Sequence, residues 1–218
     1  SILANQHVYE QGLEDLKLTC DAYIERLRHE LEPVEIGEYL LLSDERNTVS
    51  LNADSVRGLS TAKKVIATKA NMNGVSIRKY KTFRSGQIAY VPDTSRRGDK
   101  ISLALNSDNE TYLVSSISTV FSTKEDKLLP AYLMLFLSRS EFDRYTRFHS
   151  WGSARETFTW EDMCAVKIPV PDIKVQQYIV NIYTVYQLRR EINEQLKAQI
   201  KDLCPILIKG SLEEATRI

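Results

Sequence analysis

The feature that most constrains this chain is a long heptad pattern near its C-terminal end. Nine positions follow one another in steps of four and three: Tyr178, Ile182, Val185, Arg189, Ile192, Leu196, Gln199, Leu203 and Ile206. Seven of these nine residues are apolar, and a 3.5-residue repeat is typical of a helix that packs along a second helix. The pattern predicts a helix that begins after its N-cap, Asp172, and ends at residue 204, before Pro205.

Such a helix spans about 50 Å, which is more than a small domain needs for its own core. A second run with the same steps lies near the start of the chain and stops before Pro33: Leu13, Leu16, Cys20, Tyr23, Leu27 and Leu31 (or Glu30). It predicts a helix over residues 8–31. We expect the two helices to pair with each other or with those of a second molecule, although an ordinary amphipathic core helix is the simpler alternative for the longer one.

The sequence between these helices has a different character, with short runs of β-forming residues bounded by turn residues. The runs are residues 34–39, 64–68, 87–91, 100–105 and 112–121, and helical patterns follow at 131–138 and 141–148. Thr159 and Asp162 have the spacing of a capping box. The fold class predicted is α+β: a globular domain with a mixed or antiparallel sheet and short helices, flanked by long coiled-coil helices. We expect domain boundaries at residues 1–32, 33–168 and 169–218.

Net charge is zero over the whole chain but is unevenly distributed. Residues 1–44 contain ten acidic and three basic residues, whereas residues 57–100 contain eleven basic residues and only Asp93 and Asp99 as acids. A basic block of this kind attracts polyanions, and neutralised phosphates supply the affinity through counterion release. A solvated basic face without a partner is the alternative interpretation.

Sequence motifs for common enzymes and metal sites are absent. The chain contains no GxGxxG, P-loop, HExxH or GxSxG motif, and its three cysteines are far apart. Asp93, Glu125 and Lys127 match a PD-ExK pattern, in which two carboxylates hold Mg²⁺ for nucleic-acid cleavage. We expect no catalytic residues, no metal and no cofactor, with this nuclease as an alternative. Since no signal peptide and no run of eighteen apolar residues occurs, we expect a cytoplasmic protein.

Three polar loops combine residue types that contact bases and phosphates in nucleic-acid complexes. They are Lys69–Gly74, Thr94–Lys100 and Phe148–Arg155, the last of which adjoins Arg144 and Arg147. The candidate DNA-binding residues are Lys63, Lys64, Lys69, Asn71, Asn73, Arg78, Lys79, Lys81, Arg96, Arg97, Lys100, Arg147, His149, Trp151, Ser153 and Arg155. For any one of them, an ordinary surface role is the simpler interpretation.

An ordered set of short motifs resembles the target-recognition domain of type I restriction–modification specificity subunits. The set comprises residues 34–38, residues 80–90, Tyr132-Leu133 with Leu135, Gly152-Ser153 with Arg155, residues 158–163, and residues 168–171 with Gln177 and Ile179-Val180. The resemblance covers residues 33–204. The segment before Pro33 is less similar to the family's helices than the C-terminal helix is.

This resemblance implies a non-catalytic subunit that reads duplex DNA and directs partner methyltransferase subunits, and in some complexes ATP-driven restriction subunits, to a bipartite site. The methyltransferase subunits would bind S-adenosylmethionine. Because the chain contains one recognition domain and not two, it resembles a half-subunit or a fragment of a longer one. A homodimer through the long helices would supply the second domain. The candidate interface residues are Ile182, Val185, Ile192, Leu196 and Leu203. Besides the nuclease, the remaining alternative is a coiled-coil scaffold whose basic face binds an acidic protein.

Overall fold

A computed structural model describes residues 2–48, 51–68, 70–72, 74–94, 100–151 and 156–215, and it describes side chains in the terminal helices at 7–199 and 201. The helices are α1 Ile2–Glu30, α2 Pro130–Leu137, α3 Ser140–Phe148, α4 Trp160–Cys164 and α5 Ile173–Ala215. The strands are β1 Val34–Glu35, β2 Leu40–Ser43, β3 Arg57–Leu59, β4 Val65–Ala67, β5 Lys81–Phe83, β6 Ile88–Tyr90, β7 Leu103–Leu105, β8 Tyr112–Val114, β9 Thr119–Thr123 and β10 Lys167–Ile168. Two compact units result. One comprises Ser1–Arg26 and Tyr178–Ile218, and the other is Leu27–Gln177.

The first unit is an antiparallel pair of helices from α1 and α5. The Tyr9 hydroxyl donates to the backbone oxygen of Arg189 at 3.2 Å. Lys197 Nζ lies 2.9 Å from a carboxylate oxygen of Glu10, and the rings of Tyr23 and Tyr178 meet edge to face at 5.7 Å. Since positions advance along α5 as they decrease along α1, the two helices run in opposite directions. Both predicted helices are therefore present, and they pair within one chain.

The predicted end of the long helix is wrong. Asp172 caps the start as expected, since its Oδ1 accepts from the backbone N–H of Lys174 at 2.8 Å. The helix then continues past Pro205 to Ala215. A proline in a helix removes one hydrogen bond and clashes with one carbonyl, at a cost of about 3 kcal/mol. That cost is local, and helical turns on both sides carry the helix through it.

The predicted seam is only partly the face of α5 that packs on α1: Tyr178 meets Tyr23, other seam positions stay exposed, and the side chain of Leu203 lies outside the described residues. The buried α5 positions in this unit include Ile179 and Asn193, each one residue beyond a predicted seam position. The predicted positions Val185, Ile192 and Leu196 are 41–47% exposed, and Leu188 beside them is 57% exposed. Ile182 is half-buried. A stripe of four apolar side chains, at 185, 188, 192 and 196, therefore remains open on α5 in the single chain. We call it the open stripe.

The second unit is built around an antiparallel sheet with the strand order β2-β9-β6-β7. Antiparallel pairs β3–β4 and β5–β8 lie outside this sheet. Alternate residues of these strands point to one side and fill a buried core: Leu59, Phe83, Ala89, Val91, Ala104, Tyr112, Val114 and Val120. Strands followed by short helices confirm the predicted α+β class, and every pair of named strands is antiparallel.

Two segments that are far apart in sequence pair in this unit, and both belong to the set of short motifs described above. Strand β1 pairs with β10, which places Val34 opposite Ile168. The backbone packs so tightly there that a Cβ on Gly37 would lie 2.8 Å from the Cβ of Cys164, so only glycine fits without movement. The predicted capping box at Thr159 and Asp162 is present at the start of α4. In the described part of the chain, none of the helices combines the length and the apolar character that crossing a bilayer requires.

Candidate nucleic-acid interface

All candidate DNA-binding residues belong to the unit Leu27–Gln177. Six of them lie outside the described residues: Lys69, Asn73, Arg96, Arg97, Ser153 and Arg155. The other ten differ strongly in exposure and pairing, and this difference separates side chains that can contact DNA from side chains that hold the fold.

Lys63 does not fit the expectation that it contacts DNA. Its backbone adopts φ 61°, a left-handed conformation that turns the side chain inward from the β3–β4 connection. Its ammonium donates to an Asp143 carboxylate oxygen on α3 and to the Ile101 backbone oxygen at 2.8 Å. Burial lowers the pKa of Lys63, and the hydrogen bond and charge of Asp143 act against that shift. Lys63, Asp143 and Ile101 therefore form a buried node that ties β3–β4 to α3.

Lys81 is also largely occupied within the fold. Its side chain is mostly buried, and its Nζ lies 2.9 Å from Asp44 Oδ1. Arg46 donates to both carboxylate oxygens of the same residue. Hydrogen bonds from Lys81 and Arg46 lower the pKa of Asp44 below its ordinary value. Nothing in the sequence marks Asp44 as the partner of Lys81, because 37 residues separate them.

The remaining candidates of the basic block are on the surface. Lys64, Asn71, Arg78, Lys79 and Lys100 are all exposed. Arg78 and Lys79 lie in a short 3-10 helix, Ile77–Lys79, between β4 and β5. Exposed cations of this kind can exchange water for phosphate oxygens without disturbing a buried contact. These five side chains are the part of the predicted set whose placement fits nucleic-acid contact.

The end of α3 and the residues after it form a second group. Arg147 is paired with Glu156 on the surface, and such exposed ion pairs contribute little stability and exchange partners easily. His149 Nδ1 lies 2.9 Å from the Tyr145 backbone oxygen. Trp151 is 68% exposed, and Phe148 is 73% exposed. The sequence analysis missed Phe148, although its position next to three polar and aromatic candidates was a usable signal.

A concave surface beside β3 and β4 was also missed. A cavity of about 560 Å³ is lined by apolar side chains such as Leu59 and Ile66 and by small hydroxyl side chains: Ser60, Thr61, Thr68, Ser102, Ser115 and Ser118. Arg57 lies at the same cavity, and its guanidinium stacks 4.5 Å above the ring of Tyr112. Hydroxyl groups and backbone amides are common partners of phosphate oxygens. Serine and threonine are too frequent in loops for the sequence to single out this group.

The three residues of the nuclease alternative are not brought together. Asp93 pairs in an isolated bridge with Thr157, beyond the end of β6. Glu125 lies beside Gly86, before the start of β6, because a Cβ on Gly86 would be 3.4 Å from Glu125 Oε1. Six residues, 87–92, separate Gly86 from Asp93. Even five of them in extended conformation span about 17 Å, too far for two carboxylates to share one metal ion. Within the described residues, no group of three or more His, Cys, Asp or Glu side chains is placed to hold a metal.

Comparison with known proteins identifies relatives of one kind. The specificity subunit of the type I restriction enzyme HindI from Haemophilus influenzae is 24% identical over 143 residues, which cover 65% of this chain and 31% of that protein. The crystal structure of the HsdS subunit from Thermoanaerobacter tengcongensis superposes with a TM-score of 0.57 at 14% identity, over 98% of this chain and 54% of that one. The type I S subunit from M. genitalium gives a TM-score of 0.44 at 12% identity, over 93% and 56%, too low to add to the argument.

The chain thus spans about a third of the HindI subunit and about half of the solved HsdS subunit. The likeness to HsdS at this identity shows a shared fold. The family model described as "Type I restriction modification DNA specificity domain" matches residues 60–202, well over half of the 218 residues. The protein therefore belongs to the family of type I restriction–modification DNA specificity domains.

Proposed function

We propose that this chain recognises a specific duplex DNA sequence for a type I restriction–modification complex. The observation that carries the proposal is the family match over residues 60–202, which includes every candidate DNA-binding residue from Lys63 to Arg155. The exposed cations Lys64, Arg78, Lys79 and Lys100 support it, since they offer contacts to phosphates. We retain the division into a recognition domain at 33–168 between helical segments at 1–32 and 169–218.

We propose that the chain has no chemistry of its own and needs no cofactor. Its role is then to place partner methyltransferase subunits, and in some complexes restriction subunits, on the site that it reads. Cellular duplex DNA as the target would place this action in the cytoplasm. The separation of Asp93 from Glu125 gives no support to a nuclease.

We further propose that two copies join through α5. One recognition domain offers few base contacts, which gives little discrimination against the many competing sites of a genome. The open stripe at 185, 188, 192 and 196 is contiguous along one side of the helix and is not covered by α1. An exposed apolar stripe of this kind is typical of a helix–helix interface. A two-fold dimer would read two half-sites, with the long helices setting the distance between them.

Methylome sequencing of the host with and without this gene tests the function directly. We expect one bipartite methylation motif to disappear when the gene is deleted and to return when it is restored. A gene carrying alanine at Lys64, Arg78, Lys79 and Lys100 should fail to restore the motif, while a control with alanine at the exposed surface residues Glu110 and Asp126 should restore it. An unchanged methylome in the deletion strain would refute the proposal.

A further inference from the structure

Two large aromatic side chains are displayed on the surface of the recognition unit by a rigid support. Phe148 and Trp151 are each about 70% exposed, which leaves most of their apolar surface in water. They follow α3 in the segment Arg147-Phe148-His149-Ser150-Trp151. Neither residue packs into the core, so the fold alone gives no reason for two such large rings at this place.

Phe148 is the outer end of a series of aromatic rings that begins in the core. Tyr90 and Phe158 are fully buried, with centroids 6.1 Å apart. Phe158 meets Tyr145 at 6.1 Å, and Tyr145 meets His149 at 3.9 Å. His149 finally meets Phe148 edge to face at 5.1 Å. The exposed ring is therefore held by a stack of side chains and not by a flexible stem.

Trp151 is fixed through its backbone. Its N–H donates to the Thr157 oxygen at 3.4 Å, and the Thr157 N–H donates to the Trp151 oxygen at 3.0 Å. The next residue, Phe158, donates its N–H to the Pro92 oxygen at 3.0 Å, which ties the segment to the end of β6. A ring displayed on a fixed backbone loses little conformational freedom when a partner covers it.

The neighbours of the two rings favour DNA over protein as that partner. Arg144 and Arg147 on α3 are exposed and lie just before Phe148. Acidic residues also lie nearby: Glu141 and Glu156, Asp93 through its bridge to Thr157, and Asp162 and Glu35 near Tyr145. Arg147 can leave its surface pair with Glu156 for a phosphate. Aromatic rings interleaved with cations are typical of nucleic-acid surfaces.

We infer that Phe148 and Trp151 enter the DNA between neighbouring base pairs and stack on the bases. This inference rests on the proposed function and adds a mode of recognition to it. Base faces in a duplex are covered by their neighbours, so stacking requires one base step to open, as it does for apolar wedges in proteins that bend DNA. The sequence dependence of opening that step would then contribute to specificity without hydrogen bonds to the bases.

The test uses the full chain with Trp160→Phe, which leaves Trp151 as the single tryptophan of the two in the sequence. The chain carries 5-fluorotryptophan and is studied alone and then with unlabelled methyltransferase subunit. Each sample is titrated with a duplex that contains the site found by methylome sequencing. The ¹⁹F shift between H₂O and D₂O reports whether Trp151 is in water. A second series places 2-aminopurine at successive positions of the duplex and records its emission.

We expect the solvent shift of Trp151 to disappear when DNA is added, and 2-aminopurine emission to change at one base step and not at the others. Phe148→Ala and Trp151→Ala should each weaken binding about 10-fold, and Trp151→Phe should recover most of that loss. Leu42→Ala, at another exposed apolar residue of the same unit, should bind like the unmodified chain.

Three other outcomes would overturn the inference. If Trp151 stays in water in the DNA complex while Lys100→Ala weakens binding, the proposed function stands and the wedge is wrong. If the solvent shift disappears on addition of the methyltransferase subunit before DNA, the two rings belong to a protein interface. If neither the chain nor its complex binds the duplex, the proposed function fails and the inference fails with it.

Discussion

Replacing Asp143 by asparagine tests whether the ion pair of Lys63 and Asp143 is as inaccessible to water as the structure indicates. The Lys63 and Asp143 side chains are 8% and 11% exposed. Asparagine keeps an oxygen that can accept from Lys63 and from the Ile101 N–H, now 3.2 Å from Asp143 Oδ1. It removes only the counter-charge of a buried ammonium. Breaking a buried pair in this way lowers the free energy of unfolding by about 3–5 kcal/mol. Because the hydrogen bonds are retained, we expect a loss of about 3 kcal/mol.

A second substitution at the same node gives the reasoning a sharper check. In Lys63→Met with Asp143→Asn no unpaired charge remains, so we expect the double variant to be about 2 kcal/mol more stable than Asp143→Asn alone. Asp44→Asn is the matched control, because it also removes the carboxylate of a lysine pair, but that carboxylate is 62% exposed. We expect the control to lose less than about 1 kcal/mol of unfolding free energy. Urea unfolding, followed by circular dichroism, measures all four proteins.

The pH dependence of Asp143→Asn has a defined sign. Burial already lowers the pKa of Lys63 from its ordinary value of 10.5, and Asp143 opposes that shift. Without Asp143 the pKa of Lys63 in the folded chain falls further below 10.5. The pH range in which the unfolded chain binds more protons than the folded chain therefore becomes wider. Stability of the variant should therefore rise, relative to the unmodified chain, as pH increases from 7 toward 10. Two results would refute the burial of the Lys63–Asp143 pair. One is a loss of stability no larger than that of Asp44→Asn, and the other is a loss that does not shrink at alkaline pH.

Four further predictions concern the interface, the helices, the chemistry and the fold. Arg96→Ala, Arg97→Ala and Lys100→Ala should each weaken DNA binding. Where a phosphate contact is lost, the slope of log affinity against log salt should fall by about one. Unchanged binding in the triple variant would mean that the basic block is a solvated surface without a partner. Light scattering at micromolar concentration should give twice the chain mass, and Leu196→Glu should halve it, whereas Leu18→Glu on α1 should not; a monomer with a protected α5 would exclude the two-copy arrangement. Purified chain with Mg²⁺ should leave plasmid DNA intact and should transfer no methyl group from S-adenosylmethionine; cleavage that Glu125→Ala abolishes would establish the nuclease. Gly37→Ala should destabilise the recognition unit by about 1–3 kcal/mol in urea, because its Cβ would meet Cys164; an unchanged midpoint would show that α4 moves away at little cost.

Local features of the fold could be predicted from the sequence because local rules produce them. Asp172 and the Thr159–Asp162 box were recognisable as helix starts because each cap is formed by residues within three positions of each other. The two long helices were recognisable from their repeat, and strands β4, β6, β7, β8 and β9 from the turn residues that bound them. Strands β2, β3 and β5 lie outside the predicted runs. The end of α5 was not, since a single proline does not determine whether the turns beyond it stay helical.

Pairings over long sequence distances could not be predicted in this way. Lys63 and Asp143 are 80 positions apart, and no local pattern distinguishes a lysine that turns inward from its exposed neighbour Lys64. The support of Phe148 by His149 and Tyr145 depends on where α3 packs. The charge of each segment can be read from the sequence, but tertiary packing decides in which direction each charged side chain points.

The offset between the predicted seam and the packed face of α5 bears on assembly. The face that meets α1 combines the apolar Ile179 and the ring of Tyr178 with the polar Asn193 and Lys197, and Lys197 is paired with Glu10. The open stripe at Val185, Leu188, Ile192 and Leu196 is wholly apolar. Leaving such a stripe in water forgoes the main favourable contribution to helix packing. The open stripe is therefore the surface on which we expect a second copy to pack.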